Sequence, residues 1–301
     1  MSVSIYNIKR WIKMLNGTSI YHVRQDLGRV FIPGKLNGYF NDMTQKVIMG
    51  ETNIDDDGIP FLEHSDGSHV QMPTMIFQYG LGAYDLWLLE KEKIFLMKAV
   101  KCAEWGITHQ LKNGAWNNFY YIYPNHPYSA MTQGEGISLL LRVYVETNDE
   151  KYLKAAQEAI KYMLTDVNQG GVTDYSDGRM ILLEYTHLPV VLNGWIFALF
   201  GIYDMMLLQP QFENVFEQAI SSLIKELPNY DCGFWSMYNN DGMITSPFYH
   251  RLHIAQLNAL SMISSNDIIL KYLNKFRKYE RCSWNRRKAF IIKSYQKIME
   301  R

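Results

Sequence analysis

The sequence predicts a mainly α chain, an (α/α) toroid of about four helical hairpins with a short N-terminal β-hairpin region. Three observations carry that prediction. Amphipathic segments come in pairs: 75–90 with 92–110, 131–147 with 149–164, 189–208 with 212–227, and 250–264 with 267–281. The first member of each pair is the more apolar, as an inner helix covered by an outer one must be. Each first member also carries an amide near its start, Gln78, Gln133, Asn193 and Gln256, at separations of 55, 60 and 63 residues. Finally, a loop of glycine and aromatic residues follows each of the first three outer segments: "NGAWNNFYY", "QGGVTDY" and "DCGFWSMYNN". A helix–loop–helix unit recurring about every 60 residues marks stacked pairs. Closed into a ring, such pairs expose the starts of their inner helices around one mouth.

The elements follow in order. In "MSVSIYNIKRWIKMLNG" the apolar residues Ile5, Ile8, Trp11, Ile12 and Leu15 predict an amphipathic helix. Its charges interrupt it too often for a secretory signal. Residues 17–73 change character. "GRVFIPGKLNGYFNDMTQKVIMG" alternates polar and apolar residues and has turn signals at Pro33-Gly34 and Asn37-Gly38, which predicts a few short strands against the barrel. Asp55-Asp56-Asp57-Gly58 lacks the remaining ligand spacing of a calcium loop and reads as a solvated turn. In "DEKYLKAAQEAIKYML" an acidic first turn precedes Tyr152, Leu153, Ala156, Ile160 and Met163 on one side, an outer helix with one buried face. The organisation expected is an N-terminal helix and hairpin over 1–73, a barrel over 74–281 and a basic helix or tail over 282–301.

Composition narrows the function classes. With 48% hydrophobic and 14% aromatic residues the chain folds, and no apolar run reaches the ~20 residues of a membrane span. Cys102, Cys232 and Cys282 are scattered and form no CxxC pair, which predicts reduced thiols and a cytoplasmic chain. Net charge is zero, yet residues 271–301 hold 11 Lys and Arg against two Glu. That basic end is either a solvated surface or an attachment to an anionic polymer or the inner face of a membrane. Nucleic acid is not indicated, because no reading motif accompanies the charge. Nucleotide-binding glycine motifs, GxSxG and HExxH are absent. His250 and His253 have a metal-compatible spacing but no third ligand, so no metal is assigned.

Tyrosines and carboxylates at loop and helix-start positions remain. Glu184 and Tyr185 precede the third inner segment, Tyr238 lies in the loop before the fourth, and Tyr249 and His250 open the fourth. In a closed ring they meet at one mouth with Gln133, Glu135 and Asn193.

Three stretches, "YSAMTQGEGISLLLRVY", "EYTHLPVVLNGWIFALFGIYD" and "YHRLHIAQLNAL", resemble the C-terminal catalytic part of glucuronyl C5-epimerases. "GYFNDMTQKV" and "GIPFLEHSDGSHVQMPTMIFQYGLGAYD" resemble the segment that precedes it, so the likeness runs over roughly 37–280. The resemblance implies conversion of D-glucuronate to L-iduronate within an anionic, heparosan-like polysaccharide, and a homodimer. It places the proton-transfer residues at Glu184, Tyr185, Tyr238 and Tyr249. Gln78, Gln133, Glu135, Asn193, His250, Arg251 and His253 are the expected substrate contacts. An arginine that the family carries three residues after the loop tyrosine is Asp241 here.

These residue types suit the reaction. Inverting C5 of a uronate removes a proton α to a carboxylate and returns one from the other face. Acid/base groups on both sides of the ring are needed, with donors or cations near the carboxylate. Tyrosine, with an ordinary pKa of about 10, donates readily and becomes a base where cations favour phenolate. Arg251, His250 and His253 are the nearest cations in sequence. Tyr249 is assigned to one face and Glu184 or Tyr185 to the other, with Tyr238 assisting and no cofactor required. The same carbanion expelling the C4 oxygen would make a lyase, and a non-catalytic glycan-binding protein is the further alternative.

Overall fold

Every helical pair read from the apolar spacing is present in the computed structural model, which describes residues 24–49, 52–63 and 67–299. The amphipathic helix expected over residues 5–15 lies outside the described residues. A one-turn helix α1 (Gln45–Ile48) is followed by strands β1 (Asn53–Ile54), β2 (Pro60–Glu63) and β3 (His69–Val70), antiparallel in the order β1-β2-β3. The Asp55–Gly58 turn closes the first hairpin: Asp55 Oδ1 accepts from the amides of Asp57 and Ile59, and Gly58 takes φ +84°.

The four hairpins are α2 (Pro73–Glu90) with α3 (Lys93–His109), α4 (Ala130–Thr147) with α5 (Glu150–Met163), α6 (Leu192–Leu208) with α7 (Glu213–Glu226), and α8 (Pro247–Ile263) with α9 (Asp267–Arg281). A final helix, α10 (Ser283–Met299), occupies the basic end, and a two-stranded ribbon, β4 (Thr173–Asp174) with β5 (Ile181–Leu182), precedes α6. Each outer helix packs on its own inner partner, and the inner helices stand in the row α2, α4, α6, α8. Together they form the (α/α) toroid.

Glycines set the tightest approach in that row. A Cβ on Gly134 would meet Phe197 O at 2.6 Å, and one on Gly201 would lie 2.5 Å from Gly134 Cα, so α4 and α6 touch through main chain. The amides at the helix starts do unlike work. Gln133 donates to Gly114 O at 2.9 Å and Ala159 O at 3.1 Å and accepts from Trp116 N, locking a glycine loop onto α4 and α5. Gln256 donates to Asn193 O at 3.0 Å, tying α8 to α6.

Residues 24–49 depart from the strand reading. They form an irregular strap with a single isolated bridge, Leu27 to Asn41, and turns in place of a hairpin. The reason is a buried cation. Arg142 of α4 pairs with Asp204 of α6 at 2.5 Å and donates to Asn37 O at 2.8 Å, Gly38 O at 3.1 Å and Ser138 O at 2.9 Å. The strap's carbonyls therefore face a guanidinium, where a neighbouring strand would need them. Tyr39 N donates to Asp85 Oδ1 at 2.9 Å, and Phe40 stacks on Phe200 with centroids 4.0 Å apart.

Removing the cation by Arg142→Leu leaves Asp204 buried and unpaired and frees two strap carbonyls. The expected loss is about 3–5 kcal/mol of folding stability. Urea denaturation checks it.

Candidate active site

A cavity of about 280 Å³ opens where the inner-helix starts meet the strap and hairpin. Each wall is positioned by a local device. On one side, Pro73 starts α2, and Asn118 Oδ1 caps it across the loop by accepting from Thr74 N at 3.0 Å, which points Gln78 inward. On another, Ser246 caps α8 ahead of Pro247, accepting from Tyr249 N at 3.4 Å and so fixing Tyr249 in the first turn.

Glu184 is placed by the ribbon. β5 runs antiparallel to β4, and Leu183 O accepts from Ala130 N at 2.8 Å, so the next residue turns over the start of α6. Gly194 makes room there, since a Cβ on it would fall 2.2 Å from Glu184 Oε2. The carboxylate thus lies against a helix N-terminus, which favours negative charge. Its neighbour Tyr185 stacks on Phe119 with centroids 4.6 Å apart and hydrogen-bonds to Glu184. Tyr238 hydrogen-bonds to Tyr185 and meets Tyr249 edge-on at 5.1 Å. Its loop is stapled to α6, Leu192 N donating to Tyr238 O at 3.1 Å.

The structure therefore brings Glu184, Tyr185, Tyr249, Gln78 and Asn193 to the lining of one cavity, with Tyr238 directly behind Tyr185 and Tyr249. Glu135 stands one hydrogen bond back, accepting from Gln78 Nε2 at 2.8 Å. Four expected contacts are elsewhere. Gln133 is consumed by the loop it anchors. His250 stacks on Trp235 at 3.7 Å, and its Nε2 meets Phe276 O at 3.1 Å. His253 Nδ1 meets Ser236 Oγ at 3.1 Å. Burial pushes both imidazoles down to about 3, so neither is a cation at neutral pH. Arg251 is on the outer surface, paired with Glu280 at 2.8 Å.

Among the described residues the cation at this cavity is Lys46, delivered by the strap through α1. Desolvation lowers its pKa to about 8, opposed by the charge of Glu135. Nothing periodic marks Lys46 in the sequence, and its signal was its place in "NDMTQKV", inside a stretch already singled out. Phe119, Asn118 and Phe248 are further wall residues that the sequence did not single out.

The electrostatics are those of a dry pocket. Burial raises Glu184 to about 7, with the Tyr185 hydroxyl opposing the shift. Burial also raises Glu135 to about 8, opposed by Gln78 and Lys46 and reinforced by Glu184. Tyr185 and Tyr238 are pushed well above the ordinary tyrosine value, first by burial and then by the Glu184 charge. Glu184 Oε2, Glu135 Oε2 and Asn193 Oδ1 are buried acceptors with no donor among the described residues. At Glu184 and Asn193, which line the cavity, a buried acceptor left this way costs about 1–3 kcal/mol until a donor meets it.

A D-glucuronyl C5-epimerase of Caenorhabditis elegans is 28% identical over 208 residues, 59% of this chain and 34% of that protein. An uncharacterized protein of Methanocaldococcus jannaschii, MJ1128, is 31% identical over 156 residues, 49% of this chain and 51% of that protein. The chain thus spans between a third and about half the length of these relatives. Among solved structures, a D-mannose isomerase aligns with a TM-score of 0.49 at 12% identity, covering 74% of this chain and 66% of that one. Residues 98–278, more than half of the chain, match the D-glucuronyl C5-epimerase C-terminus, and the chain belongs to that family.

Proposed function

We propose that this chain is a polysaccharide uronate C5-epimerase, converting D-glucuronate to L-iduronate residues in a heparosan-like polymer. The observation that carries the reading is the convergence of Glu184, Tyr185 and Tyr249 on one cavity with Lys46 in its wall. Family membership supports the same class of chemistry.

In this reading the sugar ring sits between Tyr249 on α8 and the Glu184–Tyr185 pair ahead of α6. The C5–H bond breaks as its proton passes to the basic group on one side, and the electron pair spreads onto the sugar carboxylate. The enediolate so formed carries an extra charge, which Lys46 and the amides of Gln78 and Asn193 stabilise. A proton then returns to C5 from the opposite side. The hydrogen-bonded run from Glu184 through Tyr185 to Tyr238 relays a proton on that side of the ring, and Tyr249 recovers its own through the open cavity before the next turnover. With a pKa near 7, Glu184 exchanges a proton at little cost near neutrality.

Incubation with unsulfated heparosan in heavy water tests the proposal. Deuterium is expected at C5 with chain length unchanged, whereas shorter, unsaturated chains would make the protein a lyase. Tyr249→Phe is expected to cut exchange by roughly 10² to 10⁴ while polymer binding persists. Lys46→Ala is expected to lower exchange by about 10² or more.

The two raised carboxyls also set a stability profile. Glu184 and Glu135 have folded-state values of about 7 and about 8 against an ordinary 4.5, so between these limits the folded chain holds protons that the unfolded chain releases. Stability from this source is full below pH 4.5 and is lost as pH rises through 7 and 8. Glu135→Gln is expected to flatten the fall in Tm between mildly acidic and mildly alkaline buffer, measured by calorimetry.

A further inference from the structure

Helix α10 has two faces with opposite histories. Its inner face is already used: Ala289 and Lys293 are buried, and Gln296 is clamped to the loop that carries Tyr238, donating to Gly242 O at 3.0 Å and accepting from Ile244 N at 3.1 Å. Lys293 Nζ lies 5.7 Å from the Tyr238 ring centroid. The outer face is apolar and uncovered among the described residues. Trp284, Ile291, Tyr295 and Ile298 are 71%, 66%, 62% and 50% exposed. At 3.6 residues per turn they fall within an arc of about 60°. Arg287 and Lys288 fall on either side of that arc.

Charge narrows what covers such a face. The helix carries Arg286, Arg287, Lys288, Lys293 and Lys297 and no carboxylate. A symmetric pairing of two copies would set these cations against each other. Residues 1–23 hold Lys9, Arg10 and Lys13 and no acid, so they offer no complement. A polysaccharide would satisfy the cations but leave the four large apolar side chains in water. An anionic lipid surface satisfies both: hydrocarbon receives the stripe, headgroups receive the flanking cations, and Trp and Tyr suit the boundary between them. No helix among the described residues is long and apolar enough to cross a membrane, so the helix would lie in the surface plane.

We propose that α10 docks the protein onto an anionic lipid surface through Trp284, Ile291, Tyr295 and Ile298, with Arg287 and Lys288 on the headgroups.

Sedimentation of the full chain with sucrose-loaded phosphatidylcholine vesicles, with and without phosphatidylserine, tests this. Binding is expected only where phosphatidylserine is present. Each of Arg287→Gln and Lys288→Gln should weaken it about fivefold, and Ile291→Glu should abolish it. Arg287 and Ile291 are exposed, so thermal melting and circular dichroism of their variants should match the parent. Lys288, whose Nζ lies 3.9 Å from the Phe234 ring centroid, is compared only at temperatures where its variant is fully folded. Failure to sediment with the anionic vesicles, or binding indifferent to Ile291→Glu, overturns the proposal. So does retention on immobilised heparosan in place of vesicle binding, or a dimer in light scattering that Ile291→Glu dissolves. None of these readouts depends on catalysis, so C5 exchange and lipid docking stand or fall separately.

Discussion

The guanidinium of Arg142 is the fixed point of this structure. It is fully buried, satisfied by Asp204 and by backbone carbonyls of its own helix and of the strap, and lies 5.3 Å from the Tyr39 ring centroid. A buried ion pair adds little net stability, because desolvating two charges offsets their attraction. Its value here is geometric. One side chain holds two inner helices in register and orders a segment with almost no secondary structure. That segment then carries Lys46 to the cavity, so the cation at the site is placed by a network on α4 and α6 and not by the strap's own propensity.

The cavity is assembled the same way, by short devices at helix starts. A serine cap sets Tyr249, a cross-loop asparagine cap sets the start of α2, and a glycine admits Glu184 to the first turn of α6. Ringed by apolar side chains, these polar groups lose water, and the loss moves their proton affinities toward neutrality. Burial acts on acids and bases in opposite senses: it raises Glu184 and Glu135 and lowers Lys46, bringing all three within the range of about 7 to 8. Groups whose affinities are so close exchange protons without a large energetic step.

The hairpins were legible because helix periodicity is local: sixteen or so residues suffice to show which side of α5 or α7 is buried. Glu184, Tyr185 and Tyr249 were legible for a related reason, since helix starts are local features and a ring brings helix starts together. What failed depended on distant partners. Gln133, His250 and His253 carry the right chemistry at the right height, but their hydrogen bonds go to Gly114, Phe276 and Ser236, partners that no window around them reveals. Arg251 sits one residue from two cavity-facing or buried neighbours and still turns outward, because on a helix a step of one residue rotates the side chain by about 100°. Lys46 went unremarked for the converse reason: it matters through the cavity it lines and the burial that lowers its proton affinity, neither of which its neighbours in sequence reveal. The strap's alternating pattern read as strand, and a buried cation drew its carbonyls away from any partner strand.

The contact of α4 with α6 through Gly134 and Gly201 has a consequence for how such a protein diversifies. Where two backbones touch, no side chain stands between them that could be traded for a larger or smaller one, so the bore at that point is fixed by peptide geometry. The adjustable surfaces are those laid over the open side, the strap and the three-stranded sheet, whose Lys46, Phe61 and Leu62 complete the enclosure. Descendants of one ring would then drift in what they accept by editing the lid and leaving the drum untouched.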